Sequence, residues 1–110
     1  MSWNTKVYKS LTVLETKVMV YALQECLGDY CVSAQDIADA CNMNIKTVKG
    51  VVGSLCKKGE MDAEKDERGG QNFHDLFPYS PSGELVSFGN ENLEEEDIIT
   101  IKEWIKKNKK

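Results

Sequence analysis

Residues 33–59, SAQDIADACNMNIKTVKGVVGSLCKKG, carry apolar side chains at helical spacing on both sides of a short polar break, and no other stretch restricts the fold as much. Ser33 precedes the first run with Asp36 three residues on. A hydroxyl there caps a helix start, and the acid meets its positive end. Ile37, Ala38 and Cys41 fall on one stripe. Asn42, Met43 and Asn44 interrupt the pattern. Asn44 is placed to cap a second helix over residues 45–58, which Gly59 ends.

On that second helix Ile45, Val48, Val51, Val52 and Leu55 share a face. The opposite face carries Lys46, Gly50, Gly53, Ser54 and Lys57, with Thr47 and Lys49 at its margins. Glycine inside a helix is less favourable than alanine by about 1 kcal/mol. Two glycines on an outer face imply that another body comes close, either a phosphate backbone or another protein's helix.

The flanking sequence completes the order of elements. Thr12-Val13-Leu14-Glu15 has the form of a capping box, which predicts a helix from about residue 13 that stops near Gly28, a residue able to take the left-handed cap conformation. Val13, Leu14, Val18, Met19, Val20, Tyr21, Ala22, Leu23 and Leu27 cover most of its circumference. Such a helix is mostly buried, and in so small a domain part of that burial is expected in a subunit interface. Tyr30, Cys31 and Val32 make a short strand at most.

Strands are expected at residues 60–64 and 71–79 around a loop at 65–70. Phe73, Phe77 and Tyr79 share one side, and Pro78 marks an edge or bulge. Ser80-Pro81-Ser82-Gly83 is a turn, residues 84–88 a further short strand, and 89–92 a linker. A last helix, from about residue 93 to 108, opens on Glu94, Glu95, Glu96 and Asp97 and closes on Lys106 and Lys107, an order that complements its dipole. Ile98, Ile101 and Ile105, flanked by Trp104, give it a narrow stripe for docking on its own domain or on a symmetry mate.

Net charge is −4 over 110 residues, but its distribution matters more than its sum. Residues 45–58 hold Lys46, Lys49, Lys57 and Lys58 and no acid, whereas residues 60–75 hold six acids against Lys65 and Arg68. The first segment suits phosphate and the second does not. A chain of this length supports one core. No apolar run nears the roughly 20 residues of a membrane helix. The opening MSWNTKVYKS lacks a signal peptide's apolar stretch, so a cytoplasmic location without membrane contact is expected.

No catalytic residue, metal or cofactor is expected. Cys26, Cys31, Cys41 and Cys56 are spaced by 5, 10 and 15 residues, which fits no CxxC or zinc-finger pattern. They read as reduced structural thiols, with a redox sensor or a Cys/His74 metal site as alternatives. His74, the single histidine, reads as a plain strand residue. Gly69-Gly70 lacks the GxxxxGK frame of a phosphate loop, and no nucleophile, base and orienting group stand together, so an enzyme is not expected. Trp3, Phe88 and Trp104 read as packing residues, with Trp3 a candidate anchor for the N-terminal arm across a dimer partner.

Helix, short strand, helix, turn, helix and β-hairpin is the order of a winged helix-turn-helix. Through Ile37-Ala38, Lys46-Thr47-Val48 and residues 55–59, the chain resembles, over residues 12–80, small bacterial, archaeal and phage transcription regulators of the multiple-antibiotic-resistance-regulator class. The resemblance implies an α+β, mainly α fold: a three-helix bundle plus a β-hairpin wing with an additional C-terminal helix, all in one domain. It also implies double-stranded DNA as partner and a homodimer built through the terminal helices.

Carried over by residue, Asn44, Lys46, Thr47, Lys49 and Gly50 open a recognition helix in the major groove, and Ser54 continues that face. Lys57 and Lys58 lie nearer the DNA backbone, and Lys65 and Arg68 are contacts of the wing. The chain departs from the pattern in two places. Its recognition helix has no arginine for the bidentate guanine contact. Its hairpin carries Asp62, Glu64, Asp66, Glu67 and Asp75, which repel phosphate unless they point away or meet a basic partner. The alternative expectation is a protein-interaction module whose acidic hairpin and Gly50/Gly53 face dock on another protein.

Overall fold

The computed structural model describes residues 8, 11–28, 32–65, 73–86 and 93–108. The chain is α+β and mainly helical: α1 (Val13–Leu27), α2 (Ala34–Cys41), α3 (Ile45–Lys57), an antiparallel hairpin of β1 (Met61–Lys65) and β2 (Phe73–Pro78), then α4 (Glu95–Asn108). This order is compatible with the winged-helix class.

The helix starts follow from local chemistry. Thr12 and Glu15 form a complete capping box on α1, and Ser33 and Asp36 form another on α2. Asn44 caps α3 by accepting the Lys46 N–H on Oδ1 at 2.8 Å. Between α2 and α3 the chain turns through Asn42 in the left-handed region, at φ 57° and ψ 48°, a conformation asparagine tolerates better than most residues. α3 ends in a Schellman motif. Gly59 has φ +79°, and the Gly59 and Glu60 N–H groups donate to the carbonyls of Cys56 and Leu55. α1 stops at Gly28 as expected, and that glycine caps it at φ −91° and ψ 16° without using the left-handed region open to it, its N–H turned back to the Glu25 and Cys26 carbonyls.

Much of the burial of α1 comes from its own chain. Val18, Met19, Ala22 and Leu23 are fully buried within this one chain. α1 packs against α2, α3, β2 and α4. Val13 and Leu14 at its first turn remain exposed.

The hairpin register runs Met61 to Pro78, Asp62 to Phe77, Ala63 to Leu76 and Glu64 to Asp75. It then shifts so that Lys65 faces Phe73, skipping His74. Leu76 joins the layers. Its side chain is fully buried, its N–H donates to the Val32 carbonyl at 2.9 Å, and its carbonyl accepts the Cys26 thiol at 3.6 Å. Val32 therefore contributes one bridge rather than a strand. Of the strand expected at residues 84–88, the described part forms one bridge, Leu85 to Tyr79, and residues 87 and 88 lie outside the described residues. Trp3, Tyr30, Cys31 and Phe88 lie outside the described residues.

α4 docks on its own chain. Ile101 and Ile105 are buried, with Ile98 and Trp104 half-buried against the same core. It packs on α1, with Lys102 and Ile105 lining one cleft with Gln24, Leu27 and Gly28, and Asn108 lining another with Lys17, Val20 and Gln24. Its first turn is fastened to the segment after β2, where the Ser82 hydroxyl donates to the Asp97 carboxylate.

Candidate nucleic-acid interface

α3 divides cleanly by burial. Val48, Val52 and Leu55 are buried, while Lys46, Thr47, Gly50 and Lys57 are exposed on the other side. Steps of four, three and four residues set Lys46, Gly50, Gly53 and Lys57 in one column, since helix neighbours recur at that spacing. The column is about 16 Å long at the usual helical rise. A Cβ at Gly50 or Gly53 meets nothing within 4 Å. No neighbour among the described residues requires either glycine. The result is a strip of low relief with one lysine at each end, open to a flat or anionic body. Lys49 is half-buried at its margin.

Two expected contact residues turn elsewhere. The Ser54 hydroxyl donates to Glu15 Oε2 at 2.6 Å, and Lys58 Nζ lies 2.7 Å from Glu15 Oε1. Glu15 is only 3% exposed. The cause is angular. Ser54 and Lys58 lie on the flank of α3 that borders its buried face, and that flank meets the first turn of α1. Burial lifts the Glu15 carboxyl. Hydrogen bonds from Lys58, Ser54 and the Thr12 N–H, with the charge of Lys58, outweigh it and hold the group down at about 2. Glu15 read as a cap alone from the sequence. The one hint of its second role was the four-residue spacing of Ser54 and Lys58, which puts a hydroxyl and an ammonium on one edge.

β1 follows α3 and packs against it. Lys65 is its last residue, and Arg68 lies outside the described residues. Asp62 is exposed, and its Oδ1 accepts the Ala63 N–H at 3.0 Å. The structure thus brings Asn44, Lys46, Thr47, Lys49, Gly50 and Lys57 to one helix face and directs Ser54 and Lys58 to α1.

A cleft of about 300 Å3 opens on the far side of α1, lined by Lys17, Val20, Tyr21, Gln24, Ala40, Cys41 and Asn108. Burial pushes the Cys41 thiol up against the opposing pull of Lys17. Such a thiol is a weak nucleophile. Cys26 is buried and Cys56 half-buried, and neither forms a disulfide among the described residues. Among those residues there is also no metal-ligating cluster, and no helix is long and apolar enough to cross a membrane. No family model, curated protein or solved structure matches the chain.

Proposed function

We propose that this chain is a winged-helix DNA-binding protein, acting as a transcription regulator, that lays α3 in the major groove of duplex DNA. The observation that carries this reading is the outer face of α3, where Lys46, Thr47, Gly50 and Lys57 are exposed on a helix without a single acid. Lys46 and Lys57 neutralise phosphates at the two ends of the strip. Gly50 and Gly53 let the helix backbone come down toward the base edges. Thr47 offers a hydroxyl. With no arginine on α3, phosphates supply most of the affinity, which makes binding strongly salt-dependent. The β1–β2 hairpin beside α3 takes the place of the wing. A homodimer belongs to the same reading, and among the described residues Val13, Leu14 and Ile99 are the large apolar side chains left exposed for it.

Fluorescence anisotropy with a labelled mixed-sequence duplex, scanned over salt, tests the proposal. The logarithm of affinity should fall linearly with the logarithm of salt. The Lys46→Glu/Lys49→Glu variant should lose binding while keeping its thermal unfolding transition. A folded wild type that ignores duplex at low salt defeats the reading. The functional surface then becomes the acidic hairpin, where Asp62 is exposed, and the partner becomes a basic protein.

A further inference from the structure

Lys57 and Lys58 are adjacent in sequence yet about 100° apart around the helix axis. Lys57 points along the outer strip of α3. Lys58 reaches α1, where its ammonium meets Glu15 Oε1 at 2.7 Å with 34% of its side chain still exposed. Glu15 has three donors: the Thr12 N–H at 2.9 Å, the Ser54 hydroxyl at 2.6 Å and the Lys58 ammonium at 2.7 Å. Moving Lys58 to a phosphate strips a buried carboxylate of its only cation among the described residues. Losing one partner of such a pair is far more costly than an exposed ion pair can return.

We propose that Glu15 withholds Lys58 from nucleic acid, so that Lys57 alone supplies the phosphate-facing charge at the C-terminal end of α3. This rests on the DNA-binding reading above and deepens it. Glu15 touches no ligand, and it sets how many phosphates the protein neutralises by deciding which way one lysine points. Its neighbours extend the effect, because Ser54 is held by the same carboxylate and cannot serve the groove.

The test compares three full-length proteins: wild type, Glu15→Gln, and Glu15→Gln/Lys58→Ala. Glutamine keeps an acceptor for the Thr12 N–H and turns its amide NH2 toward the Ser54 hydroxyl oxygen as a donor, but it no longer holds an ammonium by charge. The single variant should bind the labelled mixed-sequence duplex roughly five- to tenfold more tightly at about 0.1 M salt. Its log–log salt slope should be steeper by about 0.9, the signature of one more neutralised phosphate. The double variant should return to the wild-type slope. An unchanged slope in Glu15→Gln overturns the proposal. So does a gain that persists in the double variant, because the missing acid rather than the released lysine would then be responsible.

A readout without DNA guards against a variant that fails to fold. Under reductive methylation followed by mass spectrometry, Lys58 of the folded wild type should react more slowly than Lys57, and equal rates overturn the lock. Failure of the wild type to bind any duplex is a different result. It defeats the proposed function, while the methylation comparison still decides whether Glu15 holds Lys58.

Discussion

The Tyr8 ring meets the Trp104 ring edge to face, with centroids 4.8 Å apart and planes at 70°, and the Tyr8 hydroxyl donates to the Tyr79 carbonyl at 2.5 Å. One side chain thereby ties the segment before α1 to α4 and to the chain leaving β2. Burial pushes the Tyr8 hydroxyl well above its ordinary range, with Glu60 and Asp97 adding to the effect, so it stays a donor at any working pH. Tyr8→Phe keeps the ring pair and orphans the carbonyl. It should lower stability by about 1–2 kcal/mol in urea unfolding. A loss within error of zero would mean that the contact contributes nothing.

Glu15 should govern the acid limb of stability. Its carboxyl sits at about 2 when folded against an ordinary 4.5. Folding therefore favours the ionised form. That contribution is complete above pH 4.5 and is lost as pH falls through about 2. Urea midpoints measured between pH 7 and 2 should decline more for wild type than for Glu15→Gln across this window. Parallel curves would show that Glu15 plays no such part.

Gly50→Ala and Gly53→Ala should separate stability from binding. A Cβ has open space at both positions. Each substitution should therefore stabilise the helix by up to about 1 kcal/mol and raise the melting temperature. On the DNA-binding proposal the same methyl groups stand on the strip laid against the duplex, so affinity should fall several-fold in anisotropy. If stability rises with affinity unchanged, the glycines are not there for close approach.

Asn42 fixes the angle between α2 and α3 through its positive φ. Asn42→Gly should leave the denaturation midpoint nearly unchanged. Asn42→Val should lose about 1–2 kcal/mol or more, since a β-branched residue resists the left-handed region. Equal effects of the two would show that the turn relaxes to another conformation.

What could be read ahead of the structure was local. The starts of α1, α2 and α3 were legible because Thr12 with Glu15, Ser33 with Asp36, and Asn44 each complete their bonds within three residues. The exposed face of α3 followed from spacing alone. The Glu15 lock was not legible, since Ser54 and Lys58 stand 39 and 43 residues away, and only tertiary packing brings them together. The cover over α1 was missed for a related reason. Its all-round apolar sequence says that it is buried without saying by what, and α4, from the far end of the chain, supplies part of the answer. Gly28 shows the limit of a residue preference, because a glycine free to turn left-handed does so only when the following chain needs it.

The burial of one face of α3 also sorts charge in space. Lys46 and Lys57 stand exposed on a helix without an acid, while Glu95, Glu96 and Asp97 crowd the first turn of α4. The net charge conceals this separation. In the field of a polyanion the lysine face is drawn in and the acidic turn pushed away, so the molecule is steered before contact. On ion-exchange media it should behave as two surfaces of opposite sign, held by an anionic resin despite a net charge of −4.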